Sequence, residues 1–199
     1  MKTTLGILGC FVVGIAVGRW SALSDPVIIG HVSFAALCLL MLCVGIMVGS
    51  DKTMLRQIRS LPRLSLWLPV CTIGGALAGS VLAALLVHRL PTDGLAVGSG
   101  LGYYSLSSLL IGDLRGAELG TIALISNIMR EVFTLLFAPL LVRYCGAFAP
   151  IAAGGATTAD TSLPVIMQYA GARWTTLSVF HGCVVDFSVP FLVTFFCTV

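Results

Sequence analysis

Residues 154–166 read GGATTADTSLPVI, with two glycines, three threonines, a serine, an aspartate and a proline in thirteen residues. Gly154, Gly155 and Pro164 weaken or break a helix. Thr157, Thr158, Thr161 and Ser162 add hydroxyls, and Asp160 adds a carboxylate. The stretch interrupts a run that is otherwise apolar, so its reading decides the fold. Unwound polar backbone at membrane depth is stable only where it is buried in protein or lines a wet cavity. A cavity-lining break is one reading; the other is a loop outside the membrane between two short helices.

The chain around it favours lipid. Of 199 residues, 58% are hydrophobic and 10% charged, whereas a soluble domain carries roughly 25% charged residues. Apolar segments at 4–20, 27–49, 65–88, 94–112, 119–142, 148–170 and 175–198 approach the length of about 20 residues that a spanning helix needs. Barrel strands would alternate over about 10 residues, and these segments do not. The sequence therefore predicts an all-α polytopic membrane protein, a single transmembrane domain over 1–199 with about seven hydrophobic segments. Two of them, 94–112 and 148–170, are rich in glycine and polar residues and are expected to be broken or re-entrant. Lys2 and the apolar run after it are read as a retained first helix, because no small-residue cleavage site follows.

Charge and cysteine usage narrow the function classes. The net charge of +3 is spread along the loops, so no basic face exists for nucleic acid. The seven cysteines show no metal-ligand spacing and read as small buried hydrophobes, with no metal site expected. Lys52, Arg56, Arg59 and Arg63 place the 51–63 loop in the cytoplasm. The N-terminus is then cytoplasmic, and Val199 lies outside whether the two unusual segments both span or both re-enter. Asp25, Asp51, Asp93, Asp113, Arg115 and Glu118 fall near segment ends and are read as interfacial.

Ionisable residues within the segments carry more information, since each costs about 3 kcal/mol or more at mid-depth. In LISNIMREVF (124–133), Asn127 and Glu131 are four apart on one helix face, which Gly120 and Ala123 extend with small residues. Arg130 lies about 100° away on an adjacent face with Ser126. These charges form either a structural ion pair with other helices or a cation site. In GSGLGYYSLSS (98–108), Tyr103 and Tyr104 either sit in an interfacial belt or wall a binding site. In FHGCVVDFSVP (180–190), Asp186 shares a face with Gly182 and is a candidate partner for Arg130 or a coupling ion. His181 is either a satisfied interior histidine or a proton relay.

GYYSLSS (102–108), SNIMRE (126–131), GGATTADTSLPVI (154–166) and HGCVVDFSVP (181–190), in this order, resemble the lysine exporter family over nearly the whole chain. The resemblance implies export of L-lysine and toxic analogues such as thialysine across the bacterial inner membrane, by exchange with an inward-moving proton or sodium ion and with no cofactor. It also implies an antiporter-like fold of inverted repeats with interrupted helices. Glu131 matches an acidic position important for export, and Asn127 and Asp160 match polar motif positions. Longer family members carry about three further N-terminal spans, each of about 20 residues. A separate small membrane subunit, or a homodimer, is the expected way to supply them.

On this reading Glu131 and Asp160 form an acidic pair that holds lysine and the incoming cation in turn. Asn127, Thr157, Thr158 and Ser105 orient the ligand's amino-acid end, and Tyr104, Asp186 and His181 complete the candidate set. Arg130 either meets the substrate carboxylate or offsets Asp186. Three rivals stand beside it. A non-transporting structural or regulatory subunit would tolerate neutral residues at 131 and 160. A passive channel would dissipate gradients. An intramembrane protease would need H-E-x-x-H, which is absent, or a paired nucleophile and base, and nothing in the sequence places Ser99 beside His181.

Overall fold

In the computed structural model, the described residues are 63–199 together with five helical positions, 35, 39, 42, 46 and 50. The segment at 4–20, most of 27–49, and the basic loop apart from Arg63 lie outside the described residues. The chain divides into two compact units, Met1–Asp51 and Lys52–Val199. In the first, Ala35, Leu39, Leu42, Ile46 and Ser50 recur at helical spacing and are all exposed. Everything below concerns the second.

Its described residues form seven α-helices and three short 3₁₀ turns. These are α1 (Leu68–Leu86), α2 (Pro91–Gly98), α3 (Tyr104–Arg115), α4 (Ala117–Cys145), α5 (Ala149–Gly154), α6 (Leu163–Ala170) and α7 (Thr175–Thr198). The 3₁₀ turns are Arg63–Trp67, Gly155–Ala159 and Ala172–Trp174. Prolines open α1, α2, α5 and α6 within their first turn, where a missing N–H costs nothing. Three continuous stretches are long and apolar enough to cross a membrane: Ser65–Leu86, Ala117–Cys145 and Ala172–Thr198. They correspond to the predicted segments at 65–88, 119–142 and 175–198.

The two unusual segments are helical hairpins. In the first, α2 turns back through 99–103 into α3, so its outer ends adjoin: Arg115 donates from Nη1 to Asp93 Oδ1 at 3.3 Å. Gly94 packs against Ser80 and Ala84 of α1, and Gly120 of α4 packs against Gly112 and Ser108 of α3. Each contact closes because a glycine leaves room for a neighbouring backbone. Gly116, at φ +99°, ends α3 and lets the chain swing straight into α4.

The second hairpin, α5 and α6, starts from the opposite end of α4. Phe148 meets Trp174 edge-on at 4.8 Å between ring centroids. Ile151, Ile166 and Leu177 form a fully buried cluster that joins α5, α6 and the start of α7. Helix α7 then returns the full length of the unit, and the Cys197 and Phe196 carbonyls at its end accept from Arg115 Nε (2.8 Å) and Nη2 (3.3 Å). The unit thus holds a long helix followed by a hairpin, and then the same pair upside down. The two hairpins point at each other, and the Ala156 N–H donates to the Leu101 carbonyl at 2.9 Å where they meet.

Candidate functional site

The meeting point gathers polar residues from each of the four sequence motifs. Leu101 adopts φ +49° and Gly155 φ +65°. A Cβ on Gly155 would collide with the Leu101 carbonyl, so only glycine allows this approach. Both turns are fixed by side chains from the long helices. Asn127 of α4 accepts the Gly102 N–H on Oδ1 at 2.7 Å and donates from Nδ2 to the Ala123 carbonyl at 2.8 Å. Its Nδ2 also reaches Ser107 Oγ at 3.4 Å.

Arg130 meets backbone carbonyls and does not pair with Asp186. Its Nε donates to the Ala153 carbonyl at 2.7 Å and its Nη2 to the Ala152 carbonyl at 3.0 Å. A cation at the end of α5 meets the negative end of the helix and the carbonyls left without intrahelical partners. Arg130 therefore serves the second hairpin, and no ion pair joins it to Asp186 among the described residues.

The hydroxyls of 157–162 turn inward. Thr157 Oγ1 donates to the Gly154 carbonyl at 3.1 Å or shares a bond of 3.0 Å with Ser162 Oγ. Thr158 Oγ1 contacts the Gly155 carbonyl (2.7 Å), the Ser178 carbonyl (3.0 Å) and His181 Nδ1 (3.2 Å). His181 is fully buried, and its Nε2 lies 2.9 Å from Thr72 Oγ1 of α1. Both ring nitrogens are thus occupied by hydroxyls.

The acidic residues Asp160, Asp186 and Glu131 are less buried. Asp160 is exposed, and its Oδ1 accepts from the Thr161 N–H (2.6 Å) and Oγ1 (3.2 Å). Asp186, half-buried on α7, lies within electrostatic range of Asp160, and both act on Tyr103 and Cys183. Glu131 is half-buried, with no hydrogen bond or ion pair to a described residue. The ion pairs among the described residues, Arg89–Glu118 and Arg115–Asp93, lie at the base of the first hairpin. Among the described residues, Asp160, Asp186 and Glu131 therefore form no ion pair, and Arg130 is committed to carbonyls.

The candidate residues separate into groups. Asn127, Arg130, Thr157, Thr158 and His181 converge on the hairpin tips and hold them. Asp160 and Asp186 lie within electrostatic range of each other and of Tyr103, whereas no polar contact joins Glu131 to Asp160 among the described residues. Tyr104 and Ser105 occupy the first turn of α3 and are exposed. Sequence reasoning missed Thr72 and Ser107. A lone threonine in the apolar run of α1 was the available signal for Thr72, and the four-residue spacing back to Tyr103, whose carbonyl accepts from Ser107 Oγ at 2.8 Å, was the signal for Ser107.

No solved structure matches the chain. The profile of the family described as Lysine exporter LysO matches residues 8–197. The Lysine exporter LysO of Escherichia coli (strain K12) is 30% identical over 196 residues, covering 97% of this chain and 64% of that protein. A provisionally named lysine exporter of Haemophilus influenzae is 31% identical over 153 residues, covering 77% of each chain. The chain thus spans 64% of the length of the first relative. With the family profile running almost end to end, the chain belongs to the lysine exporter family.

Proposed function

We propose that the chain acts as a secondary transporter, carrying L-lysine and cationic analogues such as thialysine out of the cytoplasm in exchange for an inward proton or sodium ion. One observation carries this reading: Asp160 and Asp186 lie within electrostatic range of each other, and neither forms an ion pair with a described residue. A half-buried carboxylate such as Asp186 is costly in an apolar helical unit unless a cation visits it. A lysine side chain supplies such a cation, and so does a coupling ion.

Exchange also meets the electrical constraint. Moving one positive charge outward against an inside-negative potential costs about 2.3 kcal/mol per 100 mV. An incoming monovalent cation offsets that term, and competition for the same carboxylates enforces alternation. Glu131 is the third acidic group on this path. The hairpins are read as re-entrant, the first from outside and the second from the cytoplasm. Arg63, Arg143 and Arg173 all lie at the end from which the second hairpin starts, which supports this orientation in the inner membrane and an external C-terminus.

The test is counterflow of labelled lysine in liposomes, with imposed proton or sodium gradients. Gradient-dependent lysine exchange is the expected result. Flux that ignores both gradients would remove the antiport reading.

A further inference from the structure

The network around His181 reaches beyond packing. We propose that His181 is a positioning residue which, through Thr158, fixes the 3₁₀ turn Gly155–Ala159 and so presents the Asp160 carboxylate to its cation; this rests on the reading of Asp160 as a cation ligand.

The hydrogen-bond roles follow from counting protons. Thr158 has one hydroxyl proton, and it points to the carbonyl of Gly155 (2.7 Å) or Ser178 (3.0 Å). Toward His181 Nδ1, at 3.2 Å, the Thr158 oxygen is then the acceptor. Nδ1 therefore carries the ring proton, and Nε2 accepts from the Thr72 hydroxyl at 2.9 Å. This ties α1, the turn and α7 together through one fully buried ring.

The turn also meets α7 at the Ser178 carbonyl, 3.0 Å from Thr158 Oγ1. Next to His181, Gly182 packs so closely against Thr158 and Ala159 that any side chain there would displace them. Asp160 follows at φ −138°, ψ −83°, its N–H held by the Thr157 carbonyl at 3.3 Å. The backbone that carries Asp160 thus follows the two residues that His181 and Gly182 seat, and its Oδ1 is held in turn by the Thr161 N–H and hydroxyl. The proton arrangement also assigns unequal weight to the two ring nitrogens, since the link to the turn runs through Nδ1 and the link through Nε2 reaches only α1.

That inequality supplies the experiment. The amide nitrogen of asparagine overlays Nδ1, and that of glutamine overlays Nε2. His181→Asn keeps the donor toward Thr158, whereas His181→Gln keeps only the group facing Thr72. In liposome counterflow, His181→Asn should stay within about twofold of the wild-type apparent KM for lysine, and His181→Gln should raise it about tenfold or more. Thr158→Ser should follow the first and Thr158→Val the second. Equal behaviour of the two His181 variants would overturn the proposal. So would failure of all four proteins to insert, because the network would then be structural only. Asp160→Asn separates the two layers of argument. If it exports normally, the cation-ligand reading fails; if it is inactive while His181→Asn and His181→Gln match, only the present inference fails.

Discussion

The Gly102 N–H donates to Asn127 Oδ1 at 2.7 Å, joining the turning point of the first hairpin to the middle of the longest helix. The bond lies in a buried region, where an orphaned backbone donor is expensive. Asn127 therefore works as scaffold for the crossing.

Asn127→Leu removes the acceptor of Gly102 and the donor of Ala123 at similar volume. The expected cost is about 1–3 kcal/mol, read as a lower thermal midpoint of the detergent-purified protein. An unchanged midpoint would show that the turn is held elsewhere.

Gly155→Ala should fail to accumulate as folded protein. The residue sits at φ +65°, and a Cβ would strike the Leu101 carbonyl. Gly74→Ala is the internal comparison, because a Cβ there meets nothing within 4 Å. It should be neutral or slightly stabilising as a mid-helix replacement. Size-exclusion profiles of the two proteins distinguish the cases.

Cysteines at 93 and 115 should be joined by a short bifunctional maleimide in a background free of other cysteines. Asp93 and Arg115 are in hydrogen-bond contact at the base of the first hairpin. If 94–112 crossed the membrane as one span, its ends would be separated by about 30 Å, and no cross-link would form.

Glu131→Gln should insert normally and keep its thermal midpoint, since Glu131 makes no hydrogen bond or ion pair to a described residue. Thialysine resistance in cells should nevertheless be lost. Retained resistance would take Glu131 off the transport path.

Much of this architecture is legible in the sequence, for identifiable reasons. Apolar length finds the long helices, and glycines with hydroxyl residues mark 94–112 and 148–170 as broken, since no straight lipid-facing helix needs Gly154, Gly155 and Pro164 so close together. The partners are not legible. Arg130 offered Asp186 as a target on paper, yet it meets the carbonyls of Ala152 and Ala153, groups that every sequence contains and none advertises. Thr72 pairs with His181 across 109 residues, a distance over which local spacing says nothing. Asp186 lies within electrostatic range of Asp160 because α7 runs back past the second hairpin, and helical period alone does not fix how two segments pass.

The central claim is that carboxylates at the hairpin crossing bind the transported cations, and lysine counterflow by Asp160→Asn, Asp186→Asn and the double variant tests it most directly. Each single variant is predicted to lose about tenfold or more of the wild-type rate, with the double variant no worse than the weaker single, as expected for two groups of one site. Wild-type rates from both single variants would contradict the account.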